Sequence, residues 1–198
     1  MIVSFEGIDG CGKSSVIKRV NELLTDLHIP HIMTSEPYAY RDFIFNGTKK
    51  YPLEELALWC ADRNKHINEV IKPVLLKNPN MIILCDRYIH STIAYQYLAT
   101  GIPVNQLYSL CYLFAENFYP NKVYYLDADI NVAMKRVIKE NSYDYKSKEW
   151  FYNLQSAYMF AFMNQLNVEE IDANKDLDTV VRTIMHDLQQ FIRNKKVF

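Results

Sequence analysis

The stretch from Ile2 to Ser15, Ile-Val-Ser-Phe-Glu-Gly-Ile-Asp-Gly-Cys-Gly-Lys-Ser-Ser, constrains this chain more than any other. Its apolar run ends in Gly7-x-x-x-x-Gly12-Lys13-Ser14, the spacing of a phosphate-binding P-loop. A buried strand delivers the chain to Gly7, and Gly7, Gly10 and Gly12 let the backbone wrap with its N–H groups turned toward phosphate oxygens. Lys13 then opens a helix. Its ammonium is placed for the β- and γ-phosphates, the Ser14 hydroxyl for Mg²⁺, and the helix N-terminus favours an anion. Ile8, Asp9, Cys11 and Ser15 complete the expected donor-nucleotide set.

Strand and helix patterns alternate after the loop. Val16, Val20, Leu23, Leu24 and Leu27 recur at helical spacing, and His31-Ile32-Met33-Thr34 reads as a second strand that leads into Ser35-Glu36-Pro37. Residues 38–52 are aromatic, polar and weakly periodic. A helical pattern runs from Leu53 to Leu76 with Pro73 near its end, and Met81–Cys85 is a third, buried strand followed by Asp86-Arg87-Tyr88. Helices are expected through Ala94 and Leu98 and over 104–118, a fourth strand over Val123–Leu126, and a helix through Val132 and Val137. A polar, lysine-bearing loop covers Glu140 to Lys148, helix resumes over 149–166, and Val168–Ile171 is a weak fifth strand before a closing amphipathic helix.

Alternation of this kind implies an α/β fold: a parallel sheet covered by helices on both faces, with right-handed crossovers. Ligands of such sheets gather beyond the strand carboxyl ends. That places the P-loop, Glu36-Pro37, Asp86-Arg87 and Asp127 with Asp129 along one rim. At 198 residues the chain reads as a single domain over 1–198.

Charge and cysteine usage narrow the partners. A net charge of −1 gives no footprint for nucleic acid or an anionic membrane. The chain opens on a strand pattern rather than a signal sequence and has no apolar run near membrane-spanning length, so neither secretion nor spanning is expected. Cys11, Cys60, Cys85 and Cys111 lack the paired spacing of a zinc site and read as reduced thiols in a cytoplasm. Cys11, between glycines and beside Lys13, suits a small residue in a tight loop.

The acceptor must be chosen by the other motifs. Arg87 sits at the mouth of the third strand, and a guanidinium suits a phosphate because it offers two parallel hydrogen bonds and keeps its charge. Trp59 and Arg63 stand at i and i+4 on one helix, where an aromatic beside a donor fork can take a planar base.

Taken together these residues resemble the thymidylate kinase family, whose members phosphorylate dTMP from ATP. The resemblance rests on Phe5-Glu6-Gly7-Ile8-Asp9-Gly10 with the P-loop, Glu36-Pro37, Ala61-Asp62-Arg63, Asp86-Arg87-Tyr88 with Ser91 and Ala94-Tyr95-Gln96, Tyr125-Leu126-Asp127, Lys135-Arg136 and Ile171-Asp172-Ala173. It implies a three-layer P-loop kinase fold with strand order 2-3-1-4-5, a short lid at about 139–148, a homodimer, and ATP, dTMP and Mg²⁺ as ligands. It further implies that Trp59 stacks on thymine and Arg63 bonds its carbonyl edge. Arg87 holds the acceptor phosphate, Tyr95 crowds the 2′ position, and Thr92 and Gln96 line the base pocket. Arg136 lies over adenine, and Asp9 with Ser14 helps place the metal.

Two positions depart from the family pattern. Such kinases supply a transition-state arginine from the P-loop or the lid, whereas position 10 is Gly and 139–148 holds only lysines, making Lys139, Lys146 and Lys148 the candidates to replace it. Ser35-Glu36-Pro37-Tyr38 stands where the family has Arg-Glu-Pro-Gly, which makes Arg41 the candidate to assist Arg87. Asp86 is expected to orient Arg87 or a metal-bound water. The rival readings are a deoxynucleoside kinase using Glu36 as base, a nucleotide-controlled switch, and an inactive relative that only binds nucleotide.

Overall fold

The computed structural model describes residues 1–45, 51–139, 147–163 and 165–195. Strand β1 (Ile2–Glu6) runs into the P-loop and α1 (Lys13–Asp26), then β2 (His31–Ser35), the short α2 (Arg41–Phe45) and α3 (Pro52–His66). A π-helical turn at Ile67–Ile71 joins α3 to α4 (Lys72–Lys77), followed by β3 (Ile82–Asp86), α5 (Ile89–Thr100) and α6 (Val104–Ala115). The chain closes with β4 (Lys122–Asp127), α7 (Ile130–Lys139), α8 (Lys148–Phe162), β5 (Val168–Asp172) and α9 (Leu177–Lys195).

The strands form one sheet in the order β2-β3-β1-β4-β5, every pairing parallel. This is the expected α/β architecture and strand order. Period-two alternation sorts the strand side chains between two cores. Val3, Phe5, Ile82 and Leu84 pack with α1, α8 and α9 residues such as Leu24, Leu154 and Ile184. Ile2, Ile83 and Cys85 pack with α3, α5 and α6 residues such as Leu56, Ile89 and Leu107. Both faces are thus covered, as all-parallel sheets require.

Register positions the site. Phe5 of β1 pairs with Asp86 of β3, and the Arg87 N–H donates to the Phe5 carbonyl at 3.0 Å. Ser35 pairs with Asp86, and the Glu36 N–H donates to the Asp86 carbonyl at 3.0 Å. Three strands therefore end level, and the loops carrying Gly7, Glu36 and Arg87 leave them side by side.

The helical pattern expected from Leu53 to Leu76 is found as α3, a π turn at Ile67–Ile71 and α4. Pro73, two residues past Ile71, has no N–H for the Glu69 carbonyl and its ring crowds that oxygen, so a regular α ladder cannot pass through. The weakly periodic stretch 38–52 contains α2. Most of the expected lid, residues 140–146 with Lys146, lies outside the described residues.

Candidate active site

Gly7, Gly10 and Gly12 all take positive φ, at 144°, 79° and 99°. Gly10 is the tightest: a Cβ there would lie 2.3 Å from the Ala133 carbonyl of α7. Gly12 caps α1 without a side-chain bond, so the first N–H groups of a 14-residue helix remain free for an anion. Lys13, buried beneath the loop, donates to the carbonyls of Gly7 at 3.0 Å and Ile8 at 2.9 Å. Arg136 of α7 reaches across to donate to the Gly10 carbonyl at 3.1 Å, beside the loop.

Arg87 opens the second half of the site with φ 66°, a left-handed backbone that non-glycine residues adopt at a cost of about 1–2 kcal/mol. Its guanidinium is held from four directions. Nη1 donates to the Gly7 carbonyl, Ser91 Oγ and Tyr158 hydroxyl, each at 3.1 Å, and Nη2 pairs with Asp9 Oδ1. Its flat face lies 5.2 Å from the Tyr95 ring centroid, and the Tyr95 hydroxyl donates to the other Asp9 oxygen at 2.9 Å. Burial alone would raise the Asp9 pKa; Arg87, Lys13 and the Tyr95 hydroxyl outweigh it and hold the carboxyl below its ordinary 3.8.

Asp86, expected to orient Arg87 or a metal-bound water, accepts the Ser14 hydroxyl at 3.2 Å. Asp9, expected beside Ser14 at the metal, has both oxygens engaged by Arg87 and Tyr95. The side chains that meet are Ser14 and Asp86, a hydroxyl and a carboxylate. Such hard oxygen donors suit Mg²⁺, which keeps most of its shell for water and phosphate oxygens.

Beneath Arg87 lies Glu6, fully buried at the end of β1. It accepts the Tyr88 N–H at 2.9 Å and the Ser91 hydroxyl, and His90 Nδ1 stands 4.0 Å away. Desolvation pushes its pKa up to about 7, against the opposing pull of the Ser91 bond, the Arg87 charge, the Tyr88 N–H and Lys13.

The third group lies between α3 and α5. Arg63 is fully buried, its Nη2 donating to Glu36 Oε2 at 2.5 Å and to Thr92 Oγ1 at 2.8 Å. Glu36 Oε1 faces His66 Nδ1 at 3.2 Å, and His66 Nε2 meets Thr34 Oγ1 at 2.7 Å. Trp59 is half-buried, edge-on to Phe45 with ring centroids 6.1 Å apart, and its indole donates to Glu55 Oε1 at 3.4 Å. Gln96 donates to the same Glu55 oxygen at 3.0 Å. Asp62, between Trp59 and Arg63 in sequence, accepts the N–H groups of Tyr38, Ala39 and Tyr40 at 2.6–2.7 Å and so shapes the loop after Glu36.

Arg41 is not brought to Arg87; it is exposed and lies over the Phe45 ring at 5.4 Å. Ser15 is exposed on α1, and Cys11 is buried with Lys13 Nζ 3.5 Å from its sulfur. Lys148 Nζ lies 5.7 Å from the Tyr152 ring centroid. Sequence reasoning missed Tyr158, which enters from α8, and gave no role to Glu6, Glu55 or His66.

A parallel sheet with a P-loop at its centre, a buried lysine under that loop and an arginine facing it across one carbonyl define a P-loop nucleotide kinase. The thymidylate kinase family model matches residues 5–184. The thymidylate kinase of Ligilactobacillus salivarius is 33% identical over 96% of this chain and 98% of its own length, and that of Mycoplasmoides gallisepticum 30% identical over 100% and 98%. The crystal structure of thymidylate kinase from Ehrlichia chaffeensis superposes with a TM-score of 0.75 at 27% identity, covering 95% of this chain and 98% of that one. The chain belongs to the thymidylate kinase family.

Proposed function

We propose that this protein converts dTMP to dTDP by in-line transfer of the γ-phosphoryl group of ATP, with Lys13 on the donor and Arg87 on the acceptor phosphate. The observation that carries the assignment is the meeting of these two cations at the Gly7 carbonyl, where the loops from β1 and β3 converge. Catalysis of this kind is positioning and charge neutralisation. The acceptor phosphate, with a second pKa of about 6, is largely ionised at neutral pH and needs no strong base.

Gly7, Ile8, Asp9, Gly10, Cys11, Gly12, Ser14 and Ser15 form the triphosphate loop in this reading, with Arg136 toward adenine. Ser14 and Asp86 would hold Mg²⁺ through oxygen, and the ion would neutralise phosphate charge during transfer. Asp9 and Ser91 hold Arg87 in place. Trp59, Arg63, Thr92 and Gln96 take the base, with Glu36 fixing Arg63, and Tyr95 stands against the sugar. We further read the chain as one domain acting as a cytoplasmic homodimer. The exposed apolar side of α6, where Leu113 is 72% exposed, supports the dimer, and four buried free thiols support a reducing compartment.

The deoxynucleoside kinase alternative needs Glu36 as a base for a neutral hydroxyl. Glu36 is buried and paired with Arg63 and His66, which leaves it no free oxygen for that task. Coupled ADP release with MgATP and either dTMP or thymidine tests the choice. Turnover is expected with dTMP alone; turnover with thymidine and not dTMP overturns the proposal.

A further inference from the structure

Gln96 lies one helical turn beyond Thr92 on α5, and Thr92 accepts the Arg63 bond, so the Gln96 amide belongs to the wall of the base pocket assigned above. The side chain is fully buried. Its Nε2 donates to Glu55, while its Oε1 has no partner among the described residues. A buried acceptor left unpaired is costly and marks a place where a donor arrives.

A glutamine amide can turn over and present NH₂ in place of oxygen. Glu55 prevents this. A carboxylate only accepts, so it takes the NH₂ and leaves the carbonyl oxygen on the other side. Glu55 Oε1 is itself fixed by the Trp59 indole at 3.4 Å. We propose that Glu55 is a positioning residue for base specificity: it locks Gln96 with its oxygen toward the ligand, so that the pocket takes a pyrimidine bearing N3–H and rejects one with a bare N3. Thymine and uracil carry that hydrogen. Cytosine carries a lone pair there, which the Gln96 oxygen repels. This inference rests on the base-pocket reading and adds a residue that does not itself touch the base.

The test compares kcat/KM for dTMP and dCMP in the wild type, Glu55→Gln, Glu55→Ala and Gln96→Leu, with equilibrium binding of both nucleotides as a second measure of the same ratio. With a residue at 55 that donates or is absent, Gln96 turns freely, and the dTMP:dCMP ratio is expected to narrow by about ten-fold, chiefly through better dCMP use. Loss of indole support alone lowers both substrates alike. A fall in activity at constant ratio in both Glu55 variants therefore overturns the proposal. Gln96→Leu separates this inference from the reading beneath it. If it narrows the ratio while the Glu55 variants keep it, Gln96 reads the base unaided and the role of Glu55 is refuted. If Gln96→Leu itself leaves the ratio unchanged, Gln96 does not read the base, and this inference fails while Trp59 and Arg63 keep their place in the base-pocket reading.

Discussion

Lys13 and Arg87 donate to the same oxygen, the Gly7 carbonyl, at 3.0 and 3.1 Å. The Tyr158 hydroxyl adds a third bond to it at 3.2 Å. Lys13 otherwise donates to a second neutral carbonyl, that of Ile8, at 2.9 Å, whereas Arg87 is also paired with the Asp9 carboxylate. Two neutral carbonyls compensate a cation less well than a phosphate, so an arriving anion outcompetes the contacts that hold Lys13.

Arg87→Ala is expected to abolish phosphoryl transfer to dTMP while leaving affinity for a non-hydrolysable ATP analogue within a few-fold of wild type. Lys13→Ala should weaken both. Calorimetric titration beside steady-state turnover distinguishes them, and equal loss of nucleotide affinity in the two variants contradicts the division of labour.

The missing P-loop arginine cannot be restored at position 10. Its φ of 79° and the 2.3 Å approach of a Cβ to the Ala133 carbonyl mean that any side chain there displaces the loop or α7. Gly10→Arg should thus lower kcat and raise the KM for ATP rather than accelerate transfer. A faster Gly10→Arg enzyme would show that the loop tolerates the shift.

Asp62→Ala removes the acceptor for three N–H groups in the loop from Tyr38 to Tyr40. Charged hydrogen bonds of this sort contribute about 1.5–3 kcal/mol each at most and are not additive, so a total loss of about 2–4 kcal/mol is expected. Urea unfolding measures it. An unchanged midpoint would mean that water replaces the carboxylate.

Stability against pH follows from two buried neighbours with opposite signs. Burial, aided by the Arg63 charge, pulls the His90 pKa from 6.5 to about 3. The unfolded chain then binds a proton that the folded chain refuses, and stability falls as pH drops through that window. Glu6 is raised from 4.5 to about 7, so the folded chain binds the extra proton and stability grows as pH drops from 7 to 4.5. The two slopes oppose each other between 6.5 and 4.5, and net acid loss should begin only below that range. Glu6→Gln is expected to expose the His90 slope from pH 6.5 downward; a variant whose denaturation midpoint stays flat to pH 4.5 would refute the pairing.

Much of this site is legible along the chain because its chemistry is local. Gly7 to Ser14 form one turn, and Asp86-Arg87 leave one strand end, so each motif carries its own geometry. What the chain conceals are contacts made across elements. Tyr158 reaches Arg87 from a helix in which the sequence marks no site residue, and Asp62 serves a loop more than twenty positions upstream. Arg41 shows the converse: it is close to Glu36 in sequence, but α2 turns it onto Phe45. Spacing reports which residues share a face; it is silent on what that face meets.

The four cysteines are spread over the P-loop, α3, β3 and α6, and all are buried. Alkylating reagents meet none of them until the surrounding segment opens. Because Cys11 and Cys85 sit in the sheet region while Cys60 and Cys111 lie among the helices beside it, peptide-resolved labelling in the native protein would time the opening of each region with no introduced probe.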